Sequence, residues 1–335
     1  MSEEIQIFII LVKAGIFLLI KEIPAFAEMT VFLDEVVLKI ASKSNRSAYD
    51  ALKHEKNLYE LLSPDSIPTI YGISEIRFNS ETQLMLVISF RGEYNLKQRI
   101  MNRKTIDINS SLKTTILIVD ALSNIHNDGI IHKNINPSNI IISKNNDLTI
   151  IDFGISSKFS QEDAIISKNN IFQGSIPYIS SEQTGRMNRG IDYRTDYYSL
   201  GVTLYELFAG KVPFDEKDDL SIIHSHFAKK PVNPSKINPD IPSVISAIIL
   251  KLMSKNPDDR YQGTKALKSD LRHCLTLLQS HKLEVACVFQ NNATALKHLK
   301  ECAGKVHTFT GTLEEPLYYF YECLTYAASY STLNN

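Results

Sequence analysis

The chain has 335 residues, 44% hydrophobic and 22% charged, which is enough apolar material for a buried core and excludes a disordered chain. Lys plus Arg number 36 against 37 Asp plus Glu, and a net charge of −1 leaves no basic footprint for nucleic acid. Thirteen Gly and 12 Pro exclude collagen-like and Pro/Gly-rich chains, and the length suits about two domains.

The run from Ile5 to Ile20 is strongly apolar, interrupted by Gln6 and Lys13. A membrane span needs roughly 20 apolar residues, and this run is shorter and carries a charge near its centre. Ala25-Phe26-Ala27 has the form of a signal-peptide cleavage site, but Ser2-Glu3-Glu4 is acidic where a signal needs positive charge. Membrane contact by residues 5–20 is the less favoured reading. The stretch from Glu22 to Thr30 looks like a translated bacterial intergenic repeat, so residues 1–30 read as an apolar segment of accidental origin.

Globular patterning starts at Val31. Val31 to Ile40 is rich in β-branched residues and predicts a strand carrying Lys39. Asn45 to Leu62 predicts a helix, with Ala48, Ala51, Leu52 and Leu58 at helical spacing. Leu84 to Phe90 predicts another strand. Ser110 to Asn127 predicts a buried helix through Leu112, Ile116, Ile118, Val119, Leu122 and Ile125, closed by a left-handed Gly129. Short strands follow at Ile140 to Ser143 and Leu148 to Ile151. Helices are expected at Asp196 to Ala209, stopping at Gly210, then at Pro242 to Ser254 and Thr264 to Ser280. A β-rich first part before a helical second part is an α+β arrangement of two lobes. Cys274, Cys287, Cys302 and Cys323 form no C-x-x-C and fit no zinc spacing, so they read as ordinary thiols of a cytoplasmic protein.

The informative stretch is His132-Lys-Asn-Ile-Asn-Pro-Ser-Asn139 followed by Ile151-Asp-Phe-Gly154. Gly174-Ser-Ile-Pro-Tyr-Ile-Ser-Ser-Glu182, Asp192-Tyr-Arg-Thr-Asp196 and Lys255-Asn-Pro-Asp-Asp-Arg260 come after it, and Val36-Val-Leu-Lys39 and Glu55 come before. Together these resemble the catalytic loop, D-F-G motif, activation-segment end, late Arg motif and V-A-I-K strand of the protein kinase family. The resemblance spans about residues 31–280. The wording from Gly185 to Asp196 is similar to the Ser/Thr-kinase-like domain of large bacterial multi-sensor kinases.

That resemblance implies a bilobal α+β fold, with a truncated small lobe at 31–92, a helical large lobe at 93–281 and an unrelated tail at 282–335. It implies ATP and Mg²⁺ as cofactors. Lys39, braced by Glu55, would meet the α- and β-phosphates, and Asn139 with Asp152 would offer oxygen ligands to Mg²⁺. Asn134 stands at the catalytic Asp position. His132, Glu182, Asp196 and Arg260 are implied as structural: His132 beneath Asp152, Glu182 paired with Arg260, and Asp196 holding the catalytic-loop backbone. Lys133 reads as a loop-anchoring cation.

Three departures from the pattern bear on activity. Asn134 cannot take up a proton as a carboxylate does, and loss of a general base costs about 10²–10⁴-fold. Only Gly15 precedes Lys39, so the glycine-rich loop is absent, and with it the first two strands of the small lobe, leaving a sheet edge uncovered. Ser181 replaces the Pro of the A-P-E element. In the tail, Val306 to Glu315 faintly resembles a segment of TatD-type deoxyribonucleases, in which His307 would bind metal, but some 50 residues cannot close a TIM barrel.

Three functions stay open on this reading: a protein Ser/Thr kinase with impaired phosphotransfer, a pseudokinase serving as a binding module, and a gene fragment. The protein substrate or signalling partner is not legible. Ser156, Ser157, Ser160 and Ser167 are candidate phosphorylation sites after D-F-G.

Overall fold

The structure, a computed structural model, describes residues 6–11, 35–63, 67–78, 81–89, 92, 94–102, 107–143, 145, 147–162, 174–185 and 189–288. It divides into two compact units, Met1–Ile106 with Leu117–Ala266, and Asp107–Ile116 with Leu267–Asn335.

The first unit opens on an antiparallel sheet. Strand β1 (Gln6–Leu11) pairs with β2 (Glu35–Ser42), with Ile7 opposite Lys39. Helix α1 (Arg46–Tyr59) follows, then β3 (Ile70–Phe78) and β4 (Glu81–Ser89), giving the order β1-β2-β4-β3. The expected bare edge of β2 is therefore covered. Gln6-Ile-Phe-Ile-Ile-Leu11 is rich in β-branched and aromatic residues, and such a segment gains more by completing a ladder than by standing alone. β3 escaped the sequence reading because a bulge between Ile70 and Gly72 and several polar residues blur its alternation.

Helix α1 starts where the Asn45 side chain accepts the Ala48 N–H at 3.1 Å, the expected N-cap. Its buried face carries Ala48, Tyr49, Leu52, Glu55, Leu58 and Tyr59. The helical repeat thus puts a carboxylate on an apolar face, beside β2, where Lys39 is buried as well.

Strand β5 (Tyr94–Asn95) leads into α2 (Leu96–Met101), whose start is a capping box between Asn95 and Gln98. Helix α3 (Ile108–Asn127) begins on Asp107, which caps two backbone N–H groups, and ends before Gly129 at φ 74°. Strand β6 (Ile130–Ile131) pairs with β9 (Ser157–Lys158), and between them β7 (Ile140–Ile142) pairs with β8 (Leu148–Ile150). The short helix α4 (Phe159–Glu162) closes this part.

The helical part then contains α5 (Arg194–Ala209), α6 (Asp219–Ala228), α7 (Pro234–Ile237) and α8 (Ser243–Leu252), with α9 (Thr264–Val288) last. Helix α5 is buried from Thr195 to Phe208 and stops at Gly210, φ 79°, as its sequence predicted. Where α5 approaches the end of α8, a Cβ on Gly201 would lie 2.8 Å from Leu252 Cβ and 2.9 Å from Met253 Cγ. Gly201→Ala is therefore expected to lose about 1–3 kcal/mol of stability by overpacking, read as a lower thermal midpoint. An unchanged midpoint would mean that the two helices can separate freely.

The second unit holds the first turns of α3 and the bulk of α9, with Leu112, Leu271, Cys274 and Leu275 buried. Cys287 lies in α9, while Cys302, Cys323 and His307 lie outside the described residues, as does the chain beyond Val288.

Candidate functional site

Strand β2 directs Lys39 into the interior, with 1% of its side chain exposed. Its Nζ donates to Glu55 Oε1 at 2.6 Å and lies 3.5 Å from Asp152 Oδ1. Burial alone would lower the ammonium, but Glu55 and Asp152 outweigh it and hold Lys39 above its ordinary pKa. Glu55 Oε1 also accepts from Tyr59 Oη at 3.0 Å and from the Phe153 N–H at 3.2 Å. One carboxylate oxygen thus ties β2, α1 and the segment after β8 together. Phe153 packs edge-on against Tyr59 and His132, with ring centroids 5.3 Å and 4.6 Å apart.

Between β6 and β7 runs a loop held from below by Asp196 of α5. Asp196 is fully buried, and its Oδ2 accepts from His126 Nε2 at 2.8 Å and the His132 N–H at 2.9 Å. Its Oδ1 accepts from the Lys133 N–H at 2.7 Å. These bonds hold Lys133 at φ 63°, a left-handed conformation that costs about 1–2 kcal/mol for a non-glycine residue. His132 Nδ1 accepts the Asn134 N–H at 3.2 Å, so its Nε2 carries the proton donated to Ile151 O at 3.1 Å. Burial pushes this imidazole below its ordinary pKa and keeps it neutral.

The loop brings Asn134, Asn139 and Asp152 together. Asn134 Nδ2 donates to Asp152 Oδ2 at 2.9 Å. Asn139 Nδ2 donates to Asn134 O at 3.0 Å and to the same Asp152 Oδ2 at 3.3 Å. Asp152 is itself left-handed at φ 75°. With its N–H groups directed inward, Asn139 keeps Oδ1 as an acceptor. That oxygen and the Asp152 carboxylate are the hard donors Mg²⁺ prefers, and Mg²⁺ usually takes one or two carboxylates plus substrate phosphates. Among the described residues no group of three or more His, Cys, Asp or Glu could hold a metal on its own. The donor set therefore fits Mg²⁺ held jointly with a nucleotide.

Farther from this cluster, Glu182 and Arg260 form a buried two-bond pair, Nη1–Oε1 at 2.6 Å and Nη2–Oε2 at 2.9 Å. Burial would raise the Glu182 carboxyl, but the Arg260 hydrogen bonds and charge override it and hold it below the usual range. Ser181 Oγ donates to Lys255 O at 2.9 Å, and Thr195 Oγ1 donates to Glu182 Oε1 at 2.9 Å. A proline at 181 could not make the first bond, so Ser181 anchors the segment end by other means.

A family model described as protein kinase domain matches residues 33–271. The chain belongs to the protein kinase domain family. A probable serine/threonine-protein kinase of Clostridium perfringens is 30% identical over 240 residues, covering 72% of this chain and 34% of that protein. The serine/threonine-protein kinase PknB of Mycolicibacterium smegmatis is 28% identical over 235 residues, covering 70% and 37%. A probable serine/threonine-protein kinase of Clostridium acetobutylicum is 34% identical over 186 residues, covering 56% and 28%. The chain spans about a third of the length of these relatives. The chain is a bacterial Ser/Thr-kinase-like domain with the bilobal α+β fold, and the protein kinase family uses ATP and Mg²⁺. No helix among the described residues is long and apolar enough to cross a membrane.

Sequence reasoning missed several residues of the kinase domain's site. Asn136 donates to Asn134 O at 3.0 Å and caps the turn Pro137–Asn139, and its Asn-Pro dipeptide was the available signal. His126 acts over a distance that no local pattern reveals, whereas Tyr59 stands one turn after Glu55, and that i,i+4 spacing was the available signal. Two phosphorylation candidates are corrected. Ser156 is buried with its Oγ bonded to His132 O at 2.9 Å, and Ser157 is buried too, so neither can meet another enzyme. Ser160 is exposed, and Ser167 lies outside the described residues.

The segment end is also held by His226 of α6, whose Nε2 donates to Pro177 O at 3.0 Å. Its Nδ1 accepts from Tyr198 Oη at 3.1 Å, while Lys255 Nζ donates to His226 O at 2.6 Å. Burial and then the Lys255 charge push this imidazole down to about 3. Above pH 6.5 it is neutral folded or unfolded and costs nothing. As pH falls below 6.5 the unfolded chain gains a proton that the fold refuses, so stability drops by about 1.4 kcal/mol per pH unit. Urea unfolding should therefore show a loss of about 2 kcal/mol from this residue between pH 6.5 and 5, and His226→Gln should remove that share. An equal slope in the variant would contradict the assignment.

Proposed function

We propose that this chain binds Mg²⁺-ATP at Lys39, Glu55, Asn139 and Asp152 and transfers the γ-phosphoryl group to a protein Ser or Thr hydroxyl, at a rate lowered by Asn134. The observation that carries the reading is the buried Lys39–Glu55 pair lying within 3.5 Å of Asp152. Glu55 holds the Lys39 ammonium charged and fixed in direction, so that it can meet phosphate oxygens, and Mg²⁺ would offset the negative charge that a triphosphate adds beside Asp152.

Lys39 would bind the α- and β-phosphates, with Glu55 fixing its direction. Asn139 Oδ1 and the Asp152 carboxylate would hold Mg²⁺, which supplies charge neutralisation on the phosphate oxygens. Asn134 Oδ1, which accepts from the Ser175 N–H and Asn136 Nδ2, would exchange one of these bonds for the incoming hydroxyl and orient it, without removing its proton. Phosphoryl transfer proceeds through a loose transition state, so orientation keeps part of the rate when the base is lost. ADP leaves as the new O–P bond forms, and the hydroxyl proton passes late to a phosphate oxygen or to water. Lys39 would thus act on the nucleotide through its charge, and Asp196 through its hold on the loop backbone.

Lys39→Met tests the binding half. It should abolish the rise in thermal midpoint with Mg²⁺-ATP. Methionine keeps the buried volume but strands the Glu55 carboxylate, so the variant should also melt lower. Adding Glu55→Gln, which removes that charge, should recover part of the midpoint without restoring the rise. A variant that keeps the full rise would place the nucleotide elsewhere. Labelled phosphate transfer from ATP to a Ser/Thr peptide library tests the chemical half, and nucleotide binding without any transfer would leave a binding module.

A further inference from the structure

Asn134 makes two kinds of hydrogen bond that a carboxylate could not make together. Its Nδ2 donates to Asp152 Oδ2 at 2.9 Å. Its Oδ1 accepts from the Ser175 N–H at 3.1 Å and from Asn136 Nδ2 at 3.2 Å. The reversed amide would set oxygen against the Asp152 carboxylate and nitrogen against the Ser175 N–H, so only one orientation satisfies the network. A carboxylate at 134 could still accept from Ser175 and Asn136, but it would face Asp152 oxygen to oxygen across the same gap. Lys39 lies 3.5 Å from the other Asp152 oxygen and is already bonded to Glu55.

We infer that Asn134 is a positioning residue which locks Asp152 and the Gly174–Ser175 entry to the activation-segment end in place without a divalent cation. The inference rests on the proposed Mg²⁺-ATP site. The left-handed backbone of Asp152 makes the lock useful, because a strained residue keeps its place only when its surroundings fix it. Gly174 adds to the same joint. It sits at φ 107°, and a Cβ there would come within 3.3 Å of Lys133 O, so the segment can approach Asn134 closely. The metal pocket is thus assembled before metal arrives, and the neutral amide that does this is the same feature that weakens the chemical step.

The test is thermal unfolding with Mg²⁺ alone, without nucleotide, against chelator. Wild type should melt at the same temperature in both. Asn134→Asp should melt lower in chelator, by roughly 5 °C, and regain most of that loss with Mg²⁺. Asn134→Leu, which has neither donor nor acceptor, should melt lower in both and ignore Mg²⁺. Asn134→Asp melting like wild type in chelator would overturn the inference, as would a wild-type midpoint that rises with Mg²⁺ as much as the variant's. Should Asn134→Asp give no transition at all, Asn134→Leu decides, and a wild-type midpoint there overturns the lock. The Mg²⁺-ATP response of the wild type is read separately, so failure of the nucleotide site and failure of the lock are distinguishable.

Discussion

Arg260→Met is expected to lose about 3–5 kcal/mol of folding stability, the range for removing one partner of a buried ion pair. The guanidinium is fully buried, and besides Glu182 it serves the carbonyls of Ser254, Arg194 and Lys255 at 2.8, 2.8 and 3.2 Å. Methionine replaces its volume and none of these bonds, so Glu182 is left as a buried charge. The pH dependence follows with a definite sign. In wild type the Glu182 carboxyl is held below its ordinary pKa, so its contribution is present above pH 4.5 and fades as pH falls through the folded value. In the variant, burial without a partner raises it, and protonation then relieves the cost. The gap between the two proteins should therefore narrow on acidification. Chemical unfolding at pH 7 and pH 5 reads both effects. Adding Glu182→Leu to Arg260→Met should recover much of the loss, because the stranded charge goes with it. A single variant as stable as wild type would show that water reaches the pair.

Asn134→Asp is expected to raise phosphotransfer by about 10²-fold or more, within the 10²–10⁴ range for a general base. The position is already built for it. Asn134 N–H is fixed by His132, Asn136 and Asn139 grip its carbonyl, and Ser175 meets its side-chain oxygen. A carboxylate there inherits the same placement beside the incoming hydroxyl. The gain should appear in kcat with KM for ATP little changed, since the proposed nucleotide contacts are those of Lys39, Asn139 and Asp152. It should come with the lower metal-free stability argued above. No gain in kcat would mean that the lid over the nucleotide limits the rate instead. Residues 12–34, which join β1 to β2, lack a glycine-rich loop, and they lie outside the described structure.

The site was more legible in the sequence than the sheet was. Lys39, Glu55, Asn134, Asn139 and Asp152 stand in short motifs with fixed spacing, and the structure brings them within hydrogen-bonding or ion-pairing distance of one another. Helix Arg46–Tyr59, which starts on the Asn45 cap, and helix Arg194–Ala209, which stops at Gly210, were legible because each of these signals is local. Strand β1 was not. Its apolar run read as a segment of accidental origin, with membrane contact less favoured, since nothing local says that Gln6 will sit opposite Ile40. Ser181 looked like a mild loss of proline, and only folding brings Lys255 O within reach of its hydroxyl. His126 under Asp196 shares this cause, because its partner is chosen by packing rather than spacing.

The central claim is that Lys39, Asn139 and Asp152 still form a metal–nucleotide site. The most direct test is a thermal melt of the purified chain with ATP, in the presence of Mg²⁺ or of chelator. A ligand at about 100 times its dissociation constant stabilises a fold by roughly 2.7 kcal/mol, so a cooperative transition that moves up with Mg²⁺-ATP, and not with ATP plus chelator, is the predicted result. A transition that stays where it was at saturating Mg²⁺-ATP would contradict the account.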